Sequence, residues 1–351
     1  MIPQERIDAG LWWSKPLGLV DGCTPCGAGC LHCWSALAAY IRSHQKNPLI
    51  AMRYAGLAEK GPDGPRFTGV IRTRPDALQI PLRARQPQVY AVWNDLGHPQ
   101  VPDDFIAETL NMMVSWPLCC RKRGCDHEDV DCWRDPGHTY LILTKRPERM
   151  APLLLDGLPD AVGGWPGDMA LPTALDVGRW PPAHIWLGAT ASNQAELDRV
   201  APHLARLAAA GWNTFLSLEP LVEPIAFRPE WFGYTRPTAN FRTNETTGRR
   251  QVAFAFNPKA PRLGQVIVGG ETGHGARPMH LGWARQVRDD CADAGVPFFF
   301  KQWGEWAPDP AAGPTRDTVY RVGRRRAGRV LDGRVHNALA WNAEGPRKGK
   351  R

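Results

Sequence analysis

Six short apolar runs, each closed by polar residues, constrain this sequence more than any other feature. They occupy 88–93, 139–143, 184–187, 214–218, 265–268 and 297–300. Each is rich in β-branched or aromatic residues and bounded by turn residues, the pattern of strands buried on both faces. Helical patterns separate several of them. Leu197, Val200, Leu204 and Leu207 recur at helical spacing behind an Asn193-x-x-Glu196 capping box, with Gly211 at the C-cap position and Pro202 expected to kink the helix. Asp103 caps a second pattern through Phe105, Ile106, Leu110 and Met113. Ala284, Val287, Cys291 and Ala294 form a third, which makes Cys291 a core residue. Strands alternating with helices imply parallel βαβ units, and six of them favour an α/β fold, a full or partial parallel (β/α) barrel, over a small open sheet.

In such a barrel the functional side chains gather at the C-terminal ends of the strands. Here those positions read Asn94-Asp95, Thr144-Lys145-Arg146, Thr190, Glu219, Gly269-Gly270-Glu271 and Lys301-Gln302-Trp303. Each alone has a bland explanation, such as a capping Thr or a surface Lys. Their recurrence at equivalent positions argues for one shared pocket. Three long connections interrupt the pattern: 46–87 and 150–182 are Pro/Gly-rich, and 228–262 is expected to be a polar excursion over the barrel mouth. The expected organisation is a barrel over 1–310 carrying an insertion at 117–138, then a basic C-terminal extension at 311–351.

With 43% hydrophobic and 22% charged residues the chain has apolar material for a sizeable core, which excludes a disordered protein. No run approaches the roughly 18 apolar residues of a membrane span, and Met1 to Asp8 holds no apolar secretory signal, so a soluble, cytoplasmic protein without membrane contact is expected. The net charge is +8, part of it local: Arg321, Arg324, Arg325, Arg326 and Arg329 crowd the C-terminal segment. That segment suits phosphate contacts to a nucleic acid as well as it suits a solvated tail.

Cysteine placement points to chemistry. Of nine Cys, eight fall in two clusters, Cys23 to Cys33 and Cys119 to Cys132. In a reducing compartment, clustered thiols hold metal more often than they form bridges. Cys23, Cys26, Cys30 and Cys33 share one Gly- and Pro-rich loop, and Cys26-x3-Cys30-x2-Cys33 is the spacing with which radical S-adenosylmethionine enzymes hold a [4Fe–4S] cluster. The alternative is structural zinc on all four thiols, although zinc sites usually use two separated Cys pairs. The second cluster, Cys119, Cys120, Cys125, His127, Cys132 and His138, has spacings that suit tetrahedral zinc.

Several strings also carry a family likeness. Gly22-Cys23-Thr24-Pro25 with Gly29-Cys30-x-x-Cys33, Leu143 through Met150, Trp186-Leu187-Gly188, Leu216 through Leu221, Val268 through Glu271, Gly275 through Met279 and Phe299 through Gly304 occur in one order over residues 11–340. On these motifs the chain resembles the phage and prophage family named gp thirty-seven/gp sixty-eight. The resemblance implies a radical-SAM-type enzyme with the first cluster ligand at Cys23, whereas spacing alone favours Cys26.

The resulting expectation is an iron–sulfur enzyme that cleaves S-adenosylmethionine reductively and modifies an unknown substrate, such as a nucleic-acid base or nucleotide, with electrons from a donor such as flavodoxin or ferredoxin. Cys23 or Cys26, with Cys30 and Cys33, would bind the cluster. Asn94, Asp95, Gly269, Gly270, Glu271 and Arg277 would contact the cofactor, and Lys145, Glu219 and Lys301 the reacting groups. Arg146 and Arg277 have a structural alternative, buried ion pairs with Glu219 or Glu271. The Gly-Gly-Glu string follows a late strand instead of the second, which leaves Asn94-Asp95 the better placed for cofactor contacts. A different class of function, a non-catalytic zinc-containing nucleic-acid-binding protein, accounts for the same thiols without S-adenosylmethionine.

Overall fold

The computed structural model of the chain describes residues 1–84, 86–114, 137–157, 180–243, 250–257, 260–308 and 318–342. Seven strands form its main sheet: β1 (Lys15–Gly18), β2 (Val89–Trp93), β3 (Thr139–Thr144), β4 (Ile185–Thr190), β5 (Asn213–Leu218), β6 (Gln265–Gly269) and β7 (Phe298–Gln302). Each pairs in parallel with the next in chain order. A doubly wound sheet reverses its winding at one strand, and this sheet never does. It curls into a half-barrel, open between β1 and β7. All six apolar runs are strands. The seventh, β1, buries only Leu17 and has no apolar run to announce it.

Period-two alternation divides each of β2 to β7 between two cores. Tyr90, Ile142, Leu187, Leu216, Val268 and Phe300 face the helix layer. That layer includes α3 (Asp103–Val114), α5 (Gln194–Ala209) and α6 (Leu281–Ala294). The short helix α4 (Pro147–Pro152) follows β3, while α1 (Trp34–Ser43) and α2 (Pro48–Tyr54) lie between β1 and β2 in the chain. Asn193 caps α5, its side chain accepting the Glu196 N–H at 2.8 Å, and the helix runs on through Pro202. Cys291 is buried in the core, as its spacing implies.

The alternate residues, Ala91, Leu141, Trp186, Phe215, Ile267 and Phe299, cover the other face. The chain's two ends plug that face: Trp341 packs against Trp12, Trp186 and Phe215, and its Nε1 donates to Trp12 O at 3.0 Å. The Phe215 ring fills the space a Gly188 side chain would need, 2.3 Å from an ideal Cβ. Truncating a ring buried in this way costs about 3–5 kcal/mol. Because the plug uses the N-terminal halves of the strands, the polar residues at their C-terminal ends face an unfilled space.

Three expectations are corrected by packing. Residues 46–87 are more than a connection: α2 and a hairpin of Ala58–Gly61 with Gly64–Phe67 pack beside α1, with Ala36, Ala39, Leu57 and Phe67 as a satellite core. The stretch 228–262 is no cover for the mouth at its root. Trp231 and Phe232 join the helix-side core, and the antiparallel ribbon Tyr234–Thr243/Arg250–Phe256 is rooted beside Leu263 and Gly264, which lead into the N-terminal end of β6. Its apolar base, unread in a polar stretch, holds it at the end opposite the mouth.

The third correction concerns His138, grouped above with the second cysteine cluster. It is buried at the start of β3, where its Nδ1 accepts the Gln88 N–H at 3.1 Å and its Nε2 donates to Pro81 O at 3.1 Å. Both ring nitrogens are in use. Cys119, Cys120, Cys125, His127 and Cys132 lie outside the described residues. The described part of the basic extension packs onto the barrel: Leu331 is buried, and the Phe300 N–H donates to His336 O at 3.0 Å, covering the open edge of β7. Among the described residues no helix is long and apolar enough to cross a membrane.

Candidate functional site

A cavity of about 290 Å³ opens at the C-terminal ends of the strands, and the cysteine loop forms one of its walls. Groups from four parts of the rim hold that loop. Arg146 Nη2 donates to Thr24 O at 2.8 Å, and His98 Nε2 donates to Thr24 Oγ1 at 2.9 Å. Glu196 Oε1 accepts the Ala28 N–H at 2.5 Å, and Arg277 Nη2 donates to Ala28 O at 2.9 Å. The two arginines are held in turn by buried carboxylates. Arg146 pairs with Asp95, which also accepts from Thr144 Oγ1 and the Gly97 N–H. Arg277 reaches Glu271 with Nε at 2.9 Å and Nη2 at 2.6 Å. Forked contacts of this kind fix orientation as well as distance. The expected ion pairs therefore exist, with Asp95 instead of Glu219 or Glu271 as the partner of Arg146.

The four thiols divide. Cys23, Cys30 and Cys33 line the cavity, whereas Cys26 is exposed outside it. Burial, reinforced by the Asp95 carboxylate, pushes Cys23 up to about 11, and burial also raises Cys33. Cys30 is drawn down to about 5, first by the Cys26 thiol that donates to it, with help from the Lys145 ammonium and the Cys26 backbone N–H 3.5 Å away. Cys26, which supplies the shared proton, is raised. Among the described residues no three His, Cys, Asp or Glu side chains converge on a point for one metal ion. A four-iron cluster requires no such point, since its three thiolates bind three different irons.

Beneath the loop lies a polar floor. Lys145 Nζ is buried there without a hydrogen-bond partner. Lys301 Nζ stands 2.8 Å from Glu219 Oε1, and Ser217 Oγ donates to Glu219 Oε2 at 2.9 Å. An ideal Cβ on Gly29 would lie 2.3 Å from Ser192 Oγ and 3.3 Å from Lys145 Nζ, so the loop presses directly on this floor. The remaining wall is aromatic: Trp93 meets Trp34 edge-on at 5.0 Å and Trp13 at 5.7 Å.

Of the residues singled out in the sequence, Lys145, Glu219, Lys301, Asn94, Asp95, Gly270 and Glu271 all border the cavity. Gly269 and Arg277 stand behind it. Asn94 takes a left-handed backbone, φ 60°, and spends its side chain on structure, with Oδ1 accepting from Ser35 Oγ at 2.7 Å and Nδ2 donating to Val20 O at 2.6 Å. The Gly270 N–H donates to Gln302 O at 2.9 Å. The sequence reading missed Glu196 and His98 as loop anchors and Trp13 as part of the wall. Glu196 had a signal, the capping box, whose second partner lies too far along the chain to be read.

A family model described as a protein of unknown function, DUF5131, matches residues 11–118 and 130–340. The chain belongs to this family. No curated protein and no solved structure matches it. The DUF5131 match takes in the cysteine loop, every strand of the sheet and the rim. It breaks at 119–129, so Cys119, Cys120, Cys125 and His127 stand outside the family pattern, within the stretch read as an insertion.

Proposed function

We propose that this DUF5131 protein is a radical S-adenosylmethionine-type iron–sulfur enzyme that modifies an unidentified substrate. The observation that carries the reading is the convergence of Cys23, Cys30 and Cys33 on one cavity at the C-terminal mouth of a parallel half-barrel, with Cys26 left outside it. The donor set fits the group: three soft cysteine sulfurs in one pinned loop, one of them already favoured as thiolate, face a cation without a partner. Cys23, Cys30 and Cys33 are the proposed cluster ligands. When bound, the cluster and S-adenosylmethionine supply one-electron reductive cleavage and hydrogen abstraction from a substrate.

The chain's own residues bind, orient and exclude water. Trp13, Trp34 and Trp93 offer faces and edges to an aromatic ring. Lys145 and Lys301 can meet anionic groups such as a carboxylate or phosphate, and Glu219 keeps Lys301 oriented. An aromatic wall beside a cationic floor suits a nucleic-acid base or nucleotide. Arg324, Arg325 and Arg326, exposed in the C-terminal segment, are the groups proposed to reach phosphate, because Arg329 is spent on Ile7 O and Phe300 O.

The test is anaerobic reconstitution followed by iron and sulfide determination, electron paramagnetic resonance after reduction, and a search for deoxyadenosine formed from S-adenosylmethionine. A chain that takes up zinc but no iron–sulfur cluster would overturn the proposal.

A further inference from the structure

Helix α1 starts at the cysteine loop and presents two unlike faces. Ala36 and Ala39 are buried in the satellite core, whereas Trp34, Leu37 and Ile41, at i, i+3 and i+7, are exposed. Leu31 just before the helix is exposed too, as are Leu49 and Met52 on α2, which packs against α1. Trp34 meets Trp93 at the cavity wall and marks the edge of this face; the other five large apolar residues, 43% to 76% accessible, form the rest of it. Single exposed apolar residues are ordinary, but several on two helices that pack together point to a binding surface.

The charge around this face has one sign. Residues 22–58 contain no Asp or Glu. Lys46 is exposed at the turn between the helices, with Arg42 near it. The carboxylates that bound this stretch are already held: Asp21 by Arg53 at 2.7 Å and Glu59 by Arg66 at 2.8 Å. A second copy of the chain suits the face poorly, because a two-fold interface would bring the same cations together. A nucleic acid suits it poorly as well, because five of the six apolar residues are aliphatic and offer no stacking platform. A protein with an apolar centre and an acidic rim satisfies both features.

We propose that the α1–α2 face docks an acidic electron-carrier protein of the flavodoxin or ferredoxin kind. This rests on the iron–sulfur reading. The face begins at Leu31, between Cys30 and Cys33, so a carrier seated on it stands beside the thiols. The carrier's reduced cofactor loses one electron, the iron–sulfur centre gains one, and no bond or proton need move.

The experiment titrates oxidised flavodoxin into the full chain, with and without cluster, at low and high salt. It uses two exposed variants, Leu37→Glu with Ile41→Glu, and Lys46→Glu. At least a tenfold loss of affinity is expected in each variant, together with weakening of the parent complex by salt. With dithionite as reductant, both variants should cleave S-adenosylmethionine as fast as the parent, because a small reductant bypasses the surface. No binding by the parent, or equal binding by all three proteins, overturns the docking surface. So does a parent dimer that Leu37→Glu dissolves, or an oligonucleotide whose binding that change abolishes. Carrier binding at this face by a chain that takes up no iron supports the surface and removes the iron–sulfur reading instead.

Discussion

Glu196, on the first turn of α5, accepts the backbone N–H of Ala28 in the cysteine loop, 168 residues away in the chain. Its other oxygen accepts the Ser192 N–H at 2.8 Å. One carboxylate thus secures both the entry to α5 and the backbone beside Cys30. The local role is close to that of a capping box, with the accepted N–H one residue before the N-cap; the loop contact turns it into support for the thiols.

Glu196→Ala should therefore act on the site as well as on stability. Leaving a buried N–H without its acceptor costs about 1–3 kcal/mol. Denaturant unfolding should show a loss of that order, and Cys30 and Cys33 in the metal-free chain should alkylate faster than in the parent. Glu196→Gln, which retains one acceptor oxygen, should fall between. Unchanged alkylation rates would mean that the other anchors suffice to hold the loop.

The Arg146–Asp95 pair predicts a different signature. Both side chains are buried, and removing one partner of such a pair costs about 3–5 kcal/mol because it leaves an uncompensated charge. Asp95→Asn should destabilise by that amount, and adding Arg146→Met should recover part of it. A double-mutant cycle reads the coupling. Additive losses would show that the two groups act independently.

These examples mark what the sequence could disclose. Strands β2 to β7 were legible because burial on both faces requires uninterrupted apolar residues, and the alternation of strands with helices fixed their parallel sense. β1 was not, because Lys15-Pro16-Leu17-Gly18 owes its place to backbone pairing with β2 and one buried side chain. The rim residues were found as strand ends and the Arg277–Glu271 pair was among the pairings considered, but the partner of Arg146 was not: Asp95 and Arg146 are 51 positions apart, and nothing local distinguishes that pairing from one with Glu219. The ribbon after β5 was misplaced because its polar strands outweighed two anchoring aromatics, Trp231 and Phe232.

Cluster loading should separate the four thiols. Ala substitution of Cys23, Cys30 or Cys33, which face the cavity, should abolish iron uptake on reconstitution, and Cys26→Ala should retain it. Iron and sulfide per chain are the readout. Retention of iron by Cys23→Ala, with loss in Cys26→Ala, would move the first ligand to Cys26.

The insertion can be tested separately. Its Cys and His spacings suit zinc, and its centre lies outside the family match. One zinc per chain is expected, surviving Cys30→Ala and lost in Cys125→Ala. Metal analysis of the intact protein that finds no zinc rejects the assignment.

The last prediction concerns protonation in the metal-free chain. Cys30 sits near 5 because the Cys26 thiol donates to its sulfur, with the Lys145 ammonium adding to the effect against a burial cost, whereas Cys23 sits near 11. At neutral pH Cys30 is thus largely thiolate and Cys23 largely thiol. The thiolate, not the thiol, attacks iodoacetamide and displaces iodide, so Cys30 should be alkylated first, at a rate that rises with pH through a midpoint near 5. Lys145→Met removes a positive charge that favours the thiolate and should move the midpoint upward. Cys26→Ala should move it further, because the hydrogen bond from Cys26 is the largest cause of the shift. Mass-spectrometric mapping of the labelled cysteine across a pH series provides the measurement. Earlier labelling of Cys23, or a midpoint unmoved in both variants, would show that the loop does not prepare Cys30 as a thiolate.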